Sequence, residues 1–223
     1  MKNKLIVIDG CDCSGKATQA KLLYERLLKE KNNTKLISFP FYNKQYSIFT
    51  KEYLNGKYGV NPNDVSCKKA SLFYAMDRYG SYMDEWKDYY ENNLIICDRY
   101  VTSNMIHQAC KLDDIKEKNI FLDWLYDLEY NILELPKPDM VIFLDVLPEV
   151  SKELNENRLN KINNSNIKDI HEQDLDYLKK SYNNGRFIAE KFNWEIIECC
   201  NDGNILPLEE IQKRIYDKIK GIL

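Results

Sequence analysis

The feature that most constrains this chain is a glycine-bracketed loop close to its N-terminus. A short apolar run ends at Ile8, and a helical pattern begins near Gln19. Between them, Gly10, Gly15 and Lys16 stand at the G-x-x-x-x-G-K spacing of a phosphate-binding loop. Glycine allows positive φ, so that backbone N–H groups can close around phosphate oxygens in front of the positive helix N-terminus. The spacing therefore predicts a nucleotide phosphate site.

Every residue of this phosphate loop is a candidate for contact with the donor nucleotide, and Lys16 supplies charge for its β- and γ-phosphates. Ala17 stands where such loops carry a Ser or Thr whose hydroxyl binds magnesium. Thr18 is about 100° further round the helix, so it does not replace that hydroxyl. The predicted contact residues are Gly10, Cys11, Asp12, Cys13, Ser14, Gly15, Lys16, Ala17 and Thr18.

Length and charge limit the class of protein to which the chain can belong. With 223 residues it is long enough for one large α/β domain, so we expect a single domain over residues 1–223. The net charge of −3 argues against a nucleic-acid-binding surface. No apolar run approaches the ~20 residues of a membrane span, and the N-terminal run is too short for a signal peptide. We therefore expect a cytoplasmic protein with small-molecule partners.

The seven cysteines are odd in number and are scattered among apolar residues. This distribution fits mostly buried thiols in a reducing compartment. Cys11 and Cys13 also allow a metal or redox interpretation. That interpretation is weaker because the pair lacks a second pair of ligands at zinc spacing.

Apolar runs alternate with helical patterns along the chain, which is typical of a parallel sheet with crossover helices. The predicted strands cover residues 4–8, 34–39, 94–98, 140–145 and 195–199. Most are rich in β-branched residues or leucine, as strands buried on both faces should be. We therefore expect an α/β fold, a five-stranded parallel sheet of the P-loop NTPase type with helices on both faces.

Two further segments carry patterns of their own. The longest helical pattern covers residues 65–90, and we expect most members of its apolar stripe to pack on the core, the alternative being a subunit interface. Residues 155–173 are rich in Asn, Lys and Glu and have little to bury, so we expect a mobile lid, the alternative being a solvated loop. The stripe consists of Leu72, Met76, Tyr79, Met83 and Trp86.

The third predicted strand ends in Asp98, followed directly by Arg99 and Tyr100. An acid at the carboxyl end of a strand beside a phosphate loop suits a role on Mg²⁺, and this is the edge where α/β sheets bind ligands. Arg99 can hold a phosphate through two hydrogen bonds. The alternative for this Asp-Arg pair is an ordinary surface ion pair.

Together these motifs resemble those of the thymidylate kinase family over nearly the whole chain. The resemblance implies transfer of the ATP γ-phosphoryl group to dTMP, giving dTDP for dTTP synthesis, with Mg²⁺ and a homodimer. Alternatives are a kinase of the same fold acting on dUMP, dCMP or a deoxynucleoside, and a nucleotide-binding module without catalysis. The strings that carry the resemblance are the phosphate loop with Asp12, Phe39-Pro40, Leu72-Phe73 with Arg78, Asp98-Arg99-Tyr100 with Ser103, and Leu144-Asp145-Val146 followed by Pro148-Glu149-Val150.

The resemblance also implies roles for single residues around the acceptor nucleotide. Phe73 would stack on the pyrimidine, and Arg78 would donate to thymine O4, where cytosine carries an amine. Asn104 would hydrogen-bond the base edge. Arg99 would clamp the acceptor phosphate, and Asp12 would meet the 3′-hydroxyl of the sugar. From side-chain chemistry alone, Phe73 can equally be a core aromatic, and Arg78 can pair with a nearby acid at position 77 or 84.

The remaining implied roles fall on five residues. Phe39 would line the acceptor site, and His107 stands where the family often places a Tyr against the deoxyribose. Asp98 would hold Mg²⁺ through water. Cys13 replaces the Arg or Gly of well-known members, and where that residue is not Arg the family supplies catalytic arginines from the lid. Here the predicted lid contains one arginine, Arg158. We therefore expect the catalytic residues to be Lys16, Asp12, Arg99 and Arg158.

Overall fold

The computed structural model describes residues 3–30, 33–156 and 175–223. Among the described helices, none is long and apolar enough to cross a lipid bilayer. In chain order the strands and helices are β1 (Lys4–Gly10), α1 (Lys16–Lys29), β2 (Thr34–Ser38), α2 (Ile48–Leu54), α3 (Cys67–Ser81), a π-helical segment (Tyr82–Trp86), α4 (Lys87–Tyr90), β3 (Leu94–Asp98), α5 (Val101–Ala109), α6 (Ile115–Tyr126), a second π-helical segment (Asp127–Ile132), β4 (Met140–Asp145), α7 (Pro148–Glu156), α8 (Leu175–Lys191), β5 (Glu195–Glu198), β6 (Cys200–Asn201), β7 (Asn204–Ile205) and α9 (Leu208–Ile219). Short 3₁₀ turns cover Gln45–Ser47 and Pro62–Asp64.

The main sheet has five strands in the order β2-β3-β1-β4-β5, and every neighbouring pair is parallel. This confirms the predicted sheet, with strand ends that differ from the predicted ones by two residues at most. The pattern missed the antiparallel pair β6-β7, because strands of two residues are too short to show a period.

Side chains of the central strand β1 alternate between the two faces of the sheet. Leu5 and Val7 belong to one apolar cluster and Ile6 and Ile8 to another, and all four are fully buried. Residues of α5 and α6 complete the first cluster, and residues of α1 and α9 complete the second. The sheet therefore carries helices on both faces, as its near-continuous apolar strands predict.

The segment predicted as the longest helix is helical from α3 through α4, but its apolar stripe does not follow the core. Trp86 is buried, whereas Leu72, Met76 and Met83 are exposed. The core interpretation is therefore correct for Trp86 and wrong for the other three. Small side chains such as Ala75 form the buried face of α3 instead, and the wider turns of the π-helical segment change the phase before Trp86.

The predicted lid begins within helix α7, which continues through Glu156. Its remaining residues, including Arg158, Lys161 and Lys168, lie outside the described residues. Helix α8 begins at Leu175 and runs back along the sheet toward β5.

Candidate active site

Pairing of the central strands brings the predicted phosphate loop and the Asp-Arg pair to one edge of the sheet. Ile8 of β1 is in register with Asp98 of β3, and Gly10 is in register with Leu144 of β4. The backbone N–H of Arg99 donates to the Ile8 carbonyl at 3.1 Å. Two motifs that are almost ninety positions apart in the sequence therefore share one site at the carboxyl edge.

Both loop glycines are required by the backbone, each for its own reason. Gly10 has φ 154°, and a Cβ there would lie 2.8 Å from the Leu144 carbonyl oxygen and 2.8 Å from Ser14 Oγ. Gly15 has φ 81°, but a Cβ there would meet nothing within 4 Å. Gly15 is exposed and caps the N-terminus of α1, so the space in front of this helix end is open to a phosphate.

Two other residues of the site have left-handed backbones without being glycine. Cys13 has φ 59° and Arg99 has φ 68°. Such conformations cost on the order of 1–3 kcal/mol and persist where the surroundings determine them, commonly at functional sites. The strain therefore falls on the phosphate loop and on the arginine beside it.

Lys16 is buried and lies folded against its own loop. Its Nζ donates to the Cys11 carbonyl and, at 3.3 Å, to Ser14 Oγ. Burial, followed by the charge of Arg99, lowers the pKa of Lys16 to about 8, although three nearby carboxylates raise it. In this position Lys16 gives to loop oxygens the hydrogen bonds that phosphate oxygens of a bound nucleotide would accept.

Asp98 presents a carboxylate oxygen that could accept a hydrogen bond from the water shell of a metal ion. Its Oδ2 accepts a hydrogen bond from Ser38 Oγ at 2.8 Å. Its Oδ1 is buried and has no hydrogen-bond partner among the residues that the structure describes. A buried carboxylate oxygen calls for a partner, and a water of the Mg²⁺ shell would supply one. The residues present therefore fit magnesium held through water.

The first turn of α1 presents no hydroxyl at the position that usually ligates magnesium. Ala17 and Thr18 are both exposed there. The methyl group of Ala17 cannot coordinate a cation, so the metal would depend on the nucleotide phosphates, on water and on Asp98.

Asp9 is a residue of the site that the sequence motifs did not indicate. It is fully buried and accepts hydrogen bonds from Thr102 Oγ1 at 2.5 Å and from Ser103 Oγ at 2.8 Å. Burial raises its pKa, while Arg99 and Lys16 lower it. Asp9 fixes the start of α5 against the phosphate loop. The sequence features that could have indicated Asp9 are its place at the end of an apolar strand and the Thr102-Ser103 pair after the third strand.

Asp12, Arg99 and His107 lie in mutual contact on the side of the loop that faces α5. Arg99 Nη2 donates to Asp12 Oδ1 at 2.5 Å, and Arg99 Nη1 lies 3.2 Å from His107 Nε2. His107 Nδ1 lies 4.0 Å from Asp12 Oδ2. Burial works against the charge of Arg99, but Asp12, Asp9 and Asp98 outweigh it, so its pKa is raised. Three predicted site residues are thus brought together here.

Arg78 is not brought to an open surface of the site. Its Nε donates to Glu129 Oε2 at 2.9 Å, Nη2 donates to Glu129 Oε1, and Nη1 approaches the Tyr100 carbonyl at 3.4 Å. Both side chains of this ion pair are almost fully buried. The alternative of an ion pair with Asp77 or Asp84 gives way to one with Glu129, because the second π-helical segment carries Glu129 into the core.

The other predicted acceptor residues lie in three different surroundings. Phe73 belongs to an aromatic group with Phe49, whose ring is stacked at 6.0 Å. Asn104 is buried, and its Nδ2 donates to the Ser71 carbonyl at 3.3 Å. Phe39 is buried in the core. The structure therefore does not gather these three side chains into one contact group with the Asp12, Arg99 and His107 cluster.

The comparisons with known proteins agree with this architecture. A family model described as Thymidylate kinase matches residues 8–204. A probable thymidylate kinase of Methanococcus aeolicus is 32% identical over 229 residues, covering 97% of this chain and 96% of that protein. The thymidylate kinase of Schizosaccharomyces pombe is 26% identical, covering 99% and 93% respectively.

Solved structures show the same fold at lower identity. The thymidylate kinase structure from Candida albicans has a TM-score of 0.70 at 22% identity, covering 99% of this chain and 92% of that chain. The structure from Ehrlichia chaffeensis has a TM-score of 0.68 at 18% identity, with coverage of 99% and 100%. The family model spans most of the chain, and the archaeal relative is similar over nearly its full length. This chain therefore belongs to the thymidylate kinase family.

Proposed function

We propose that the protein transfers the γ-phosphoryl group of ATP to dTMP, giving dTDP for the synthesis of dTTP. The observation that carries the proposal is the 2.5 Å contact between Arg99 and Asp12. It joins the cation that follows β3 to the loop that follows β1. The group that would bind the acceptor phosphate therefore lies beside the loop that would bind the donor phosphates. Membership of the thymidylate kinase family supports dTMP as the acceptor.

Catalysis would consist of positioning and of neutralising phosphoryl charge, without a covalent enzyme intermediate. Lys16 would leave the Cys11 carbonyl and Ser14 hydroxyl for the β- and γ-phosphates, and Arg99 would hold the acceptor phosphate. When bound, Mg²⁺ would neutralise phosphate charge, with Asp98 holding it through water. Arg158 would add a further cation from the predicted lid.

On the acceptor side, some residues would contact the nucleotide and others would support the site. We propose Phe73 and Asn104 for the pyrimidine, Asp12 for the 3′-hydroxyl and His107 beside the deoxyribose. Phe39 would support this site from the core, where it is buried. For Arg78 to read the base it would first have to leave Glu129, so its present contacts favour a supporting role instead.

The assembly and the compartment are also proposals. The exposed stripe of Leu72, Met76 and Met83 supports a homodimer, since contiguous exposed apolar surface commonly marks an interface. The resemblance to the family implies a second interface segment around Phe121 to Tyr130, and Ile120, directly before it, is exposed. Seven free cysteines support a reducing, cytoplasmic compartment.

A coupled assay would test the reaction directly. Purified protein would be given ATP and Mg²⁺ with dTMP, dUMP, dCMP, thymidine or no acceptor, and ADP formation would be followed. We expect the highest kcat/KM with dTMP. A higher kcat/KM for another acceptor would overturn the substrate assignment, and tight ATP binding without turnover of any acceptor would overturn the assignment as an enzyme.

A further inference from the structure

His107 occupies a central place among the polar groups of the site. It lies in α5 with its side chain buried between Arg99 and the phosphate loop. Its Nε2 faces Arg99 at 3.2 Å, and its Nδ1 faces Asp12 at 4.0 Å. Since Arg99 also donates to Asp12, each of the three side chains lies next to the other two.

These contacts determine which imidazole nitrogen carries the proton. Arginine N–H groups only donate hydrogen bonds, so His107 Nε2 must accept from Arg99 Nη1. The ring is then neutral, with its proton on Nδ1, toward Asp12. Burial, together with the charges of Arg99 and Lys16, lowers the pKa of His107 to about 4, which keeps the ring neutral at pH 7 although Asp12 and a backbone hydrogen bond at Gly10 raise the pKa.

We propose that His107 is a positioning residue that holds the Arg99 guanidinium for the acceptor phosphate by accepting its Nη1 hydrogen bond. The proposal rests on the proposed function for its substrate. Arginine and carboxylate side chains commonly pair through two parallel hydrogen bonds. Here Nη2 is directed to Asp12 and Nη1 to His107. Asp12 and His107 are the side-chain partners of Arg99 among the described residues, which leaves its Nε–H and a second hydrogen on each Nη for phosphate.

The position of the His107 ring is itself fixed by α8. Tyr177 is buried, its hydroxyl donates to the His107 backbone carbonyl at 2.8 Å, and the two rings stack with centroids 6.4 Å apart. Cys110 Sγ also lies 3.2 Å from that carbonyl. Packing therefore holds the acceptor nitrogen in place before any ligand arrives, as a preorganised site requires.

The tautomer can be tested without any substrate. The chain has two histidines, so ¹⁵N NMR of the imidazoles in the wild type and in His107→Gln assigns the His107 signals by difference. We expect a neutral ring protonated on Nδ1, and an Nε2 signal that shifts in Arg99→Ala. A ring protonated on Nε2, or an Nε2 signal unchanged in Arg99→Ala, would overturn the proposal.

A double-mutant cycle tests the functional claim. His107→Leu should lower kcat/KM for dTMP roughly tenfold to 10²-fold, as misplacement of a positioning group does, while KM for ATP changes less than twofold. His107→Gln should retain most activity, because its amide oxygen can accept the same bond. Adding His107→Leu to Arg99→Ala should cause a much smaller loss than His107→Leu causes in the wild type.

The same experiment separates failure of the inference from failure of the proposed function. Equal losses from His107→Leu in both backgrounds, or equal losses for Leu and Gln in variants of unchanged thermal stability, would overturn the positioning role. A wild type inert toward dTMP would overturn the proposed substrate instead. The cycle would then be repeated with the acceptor that is phosphorylated. If no acceptor is phosphorylated, the cycle would measure the affinity for nucleoside monophosphates. The NMR experiment does not depend on either outcome.

Discussion

Arg78 and Glu129 form a buried ion pair that joins α3 to the π-helical segment after α6. Arg78 Nε donates to Glu129 at 2.9 Å, and the exposed fractions of the two side chains are 2% and 0%. Burial works against the charge of Arg78, but Glu129 outweighs it and raises the arginine pKa. The same guanidinium approaches the Tyr100 carbonyl, directly after the strained Arg99. The pair therefore supports the backbone that presents Arg99.

We expect Arg78→Ala to lower the free energy of unfolding by about 3–5 kcal/mol, because it leaves Glu129 charged and buried without a partner. Urea unfolding followed by circular dichroism measures the change. Arg78→Met combined with Glu129→Leu removes both charges and should recover most of the loss. An Arg78→Ala protein of wild-type stability that loses only dTMP affinity would contradict this role and favour base reading.

The position of Ala17 predicts an effect on magnesium. Its methyl group is exposed on the first turn of α1 and cannot coordinate. Ala17→Ser should add a ligand, so half-maximal activity should occur at lower free Mg²⁺ than in the wild type. Free Mg²⁺ would be varied at saturating ATP and dTMP, with Ala17→Thr in parallel and with Ala17→Val as the isosteric control for Thr. Superimposable titrations for folded Ser, Thr and Val variants would show that position 17 does not face the metal.

Lys16 predicts a pH dependence of ATP binding. Its pKa in the free protein is lowered to about 8, and bound phosphates favour the charged form. Affinity is therefore nearly complete at pH 7, about half of its full value at pH 8 and about tenfold lower at pH 9, since one pKa unit is worth a factor of ten. Calorimetric titration between pH 7 and 9 measures this. Lys16→Arg keeps its charge throughout, so any measurable affinity of that variant should stay constant with pH; an equal decline in both proteins would exclude Lys16 as the cause.

The exposed stripe on α3 predicts the site of association. Leu72 is 43% exposed on α3, and Leu28 is 44% exposed on α1, at the opposite face of the sheet. A buried charge at an interface is costly, so Leu72→Glu should convert the proposed dimer to a monomer in light scattering after gel filtration. Leu28→Glu is the matched control and should leave the dimer intact. The reverse result would move the interface to the α1 face.

We expect Arg158, which lies outside the described residues, to contribute to catalysis. It is the one arginine of the predicted lid, and Cys13 leaves the phosphate loop without an arginine. Arg158→Ala should lower kcat more than it weakens dTMP binding, because an interaction made mainly in the transition state affects kcat. Lys161→Ala is the control of similar position. An unchanged kcat in Arg158→Ala with a reduced kcat in Lys161→Ala would assign the catalytic cation to Lys161.

The sequence by itself determined the sheet and the place of the phosphate loop. Near-continuous apolar runs predict the five strands of the main sheet, and in β1 successive side chains of the run fill clusters on both faces. Glycine spacing predicts the loop because a positive φ, as at Gly10 and Gly15, depends on the type of the single residue and can be expected from the sequence. The carboxyl ends of parallel strands share an edge, so Asp98 could be expected beside this loop.

Only the tertiary structure decided which side chains pair across that edge. Arg78 pairs with Glu129, 51 positions away, rather than with a neighbouring acid, because a π-helical segment turns Glu129 inward. Arg99 reaches Asp12 across 87 positions. A local apolar pattern can indicate burial, as it does in β1, but the partner of a buried charge depends on how distant helices pack. Burial then selects one arrangement, because an unpaired charge in the interior is too costly to persist.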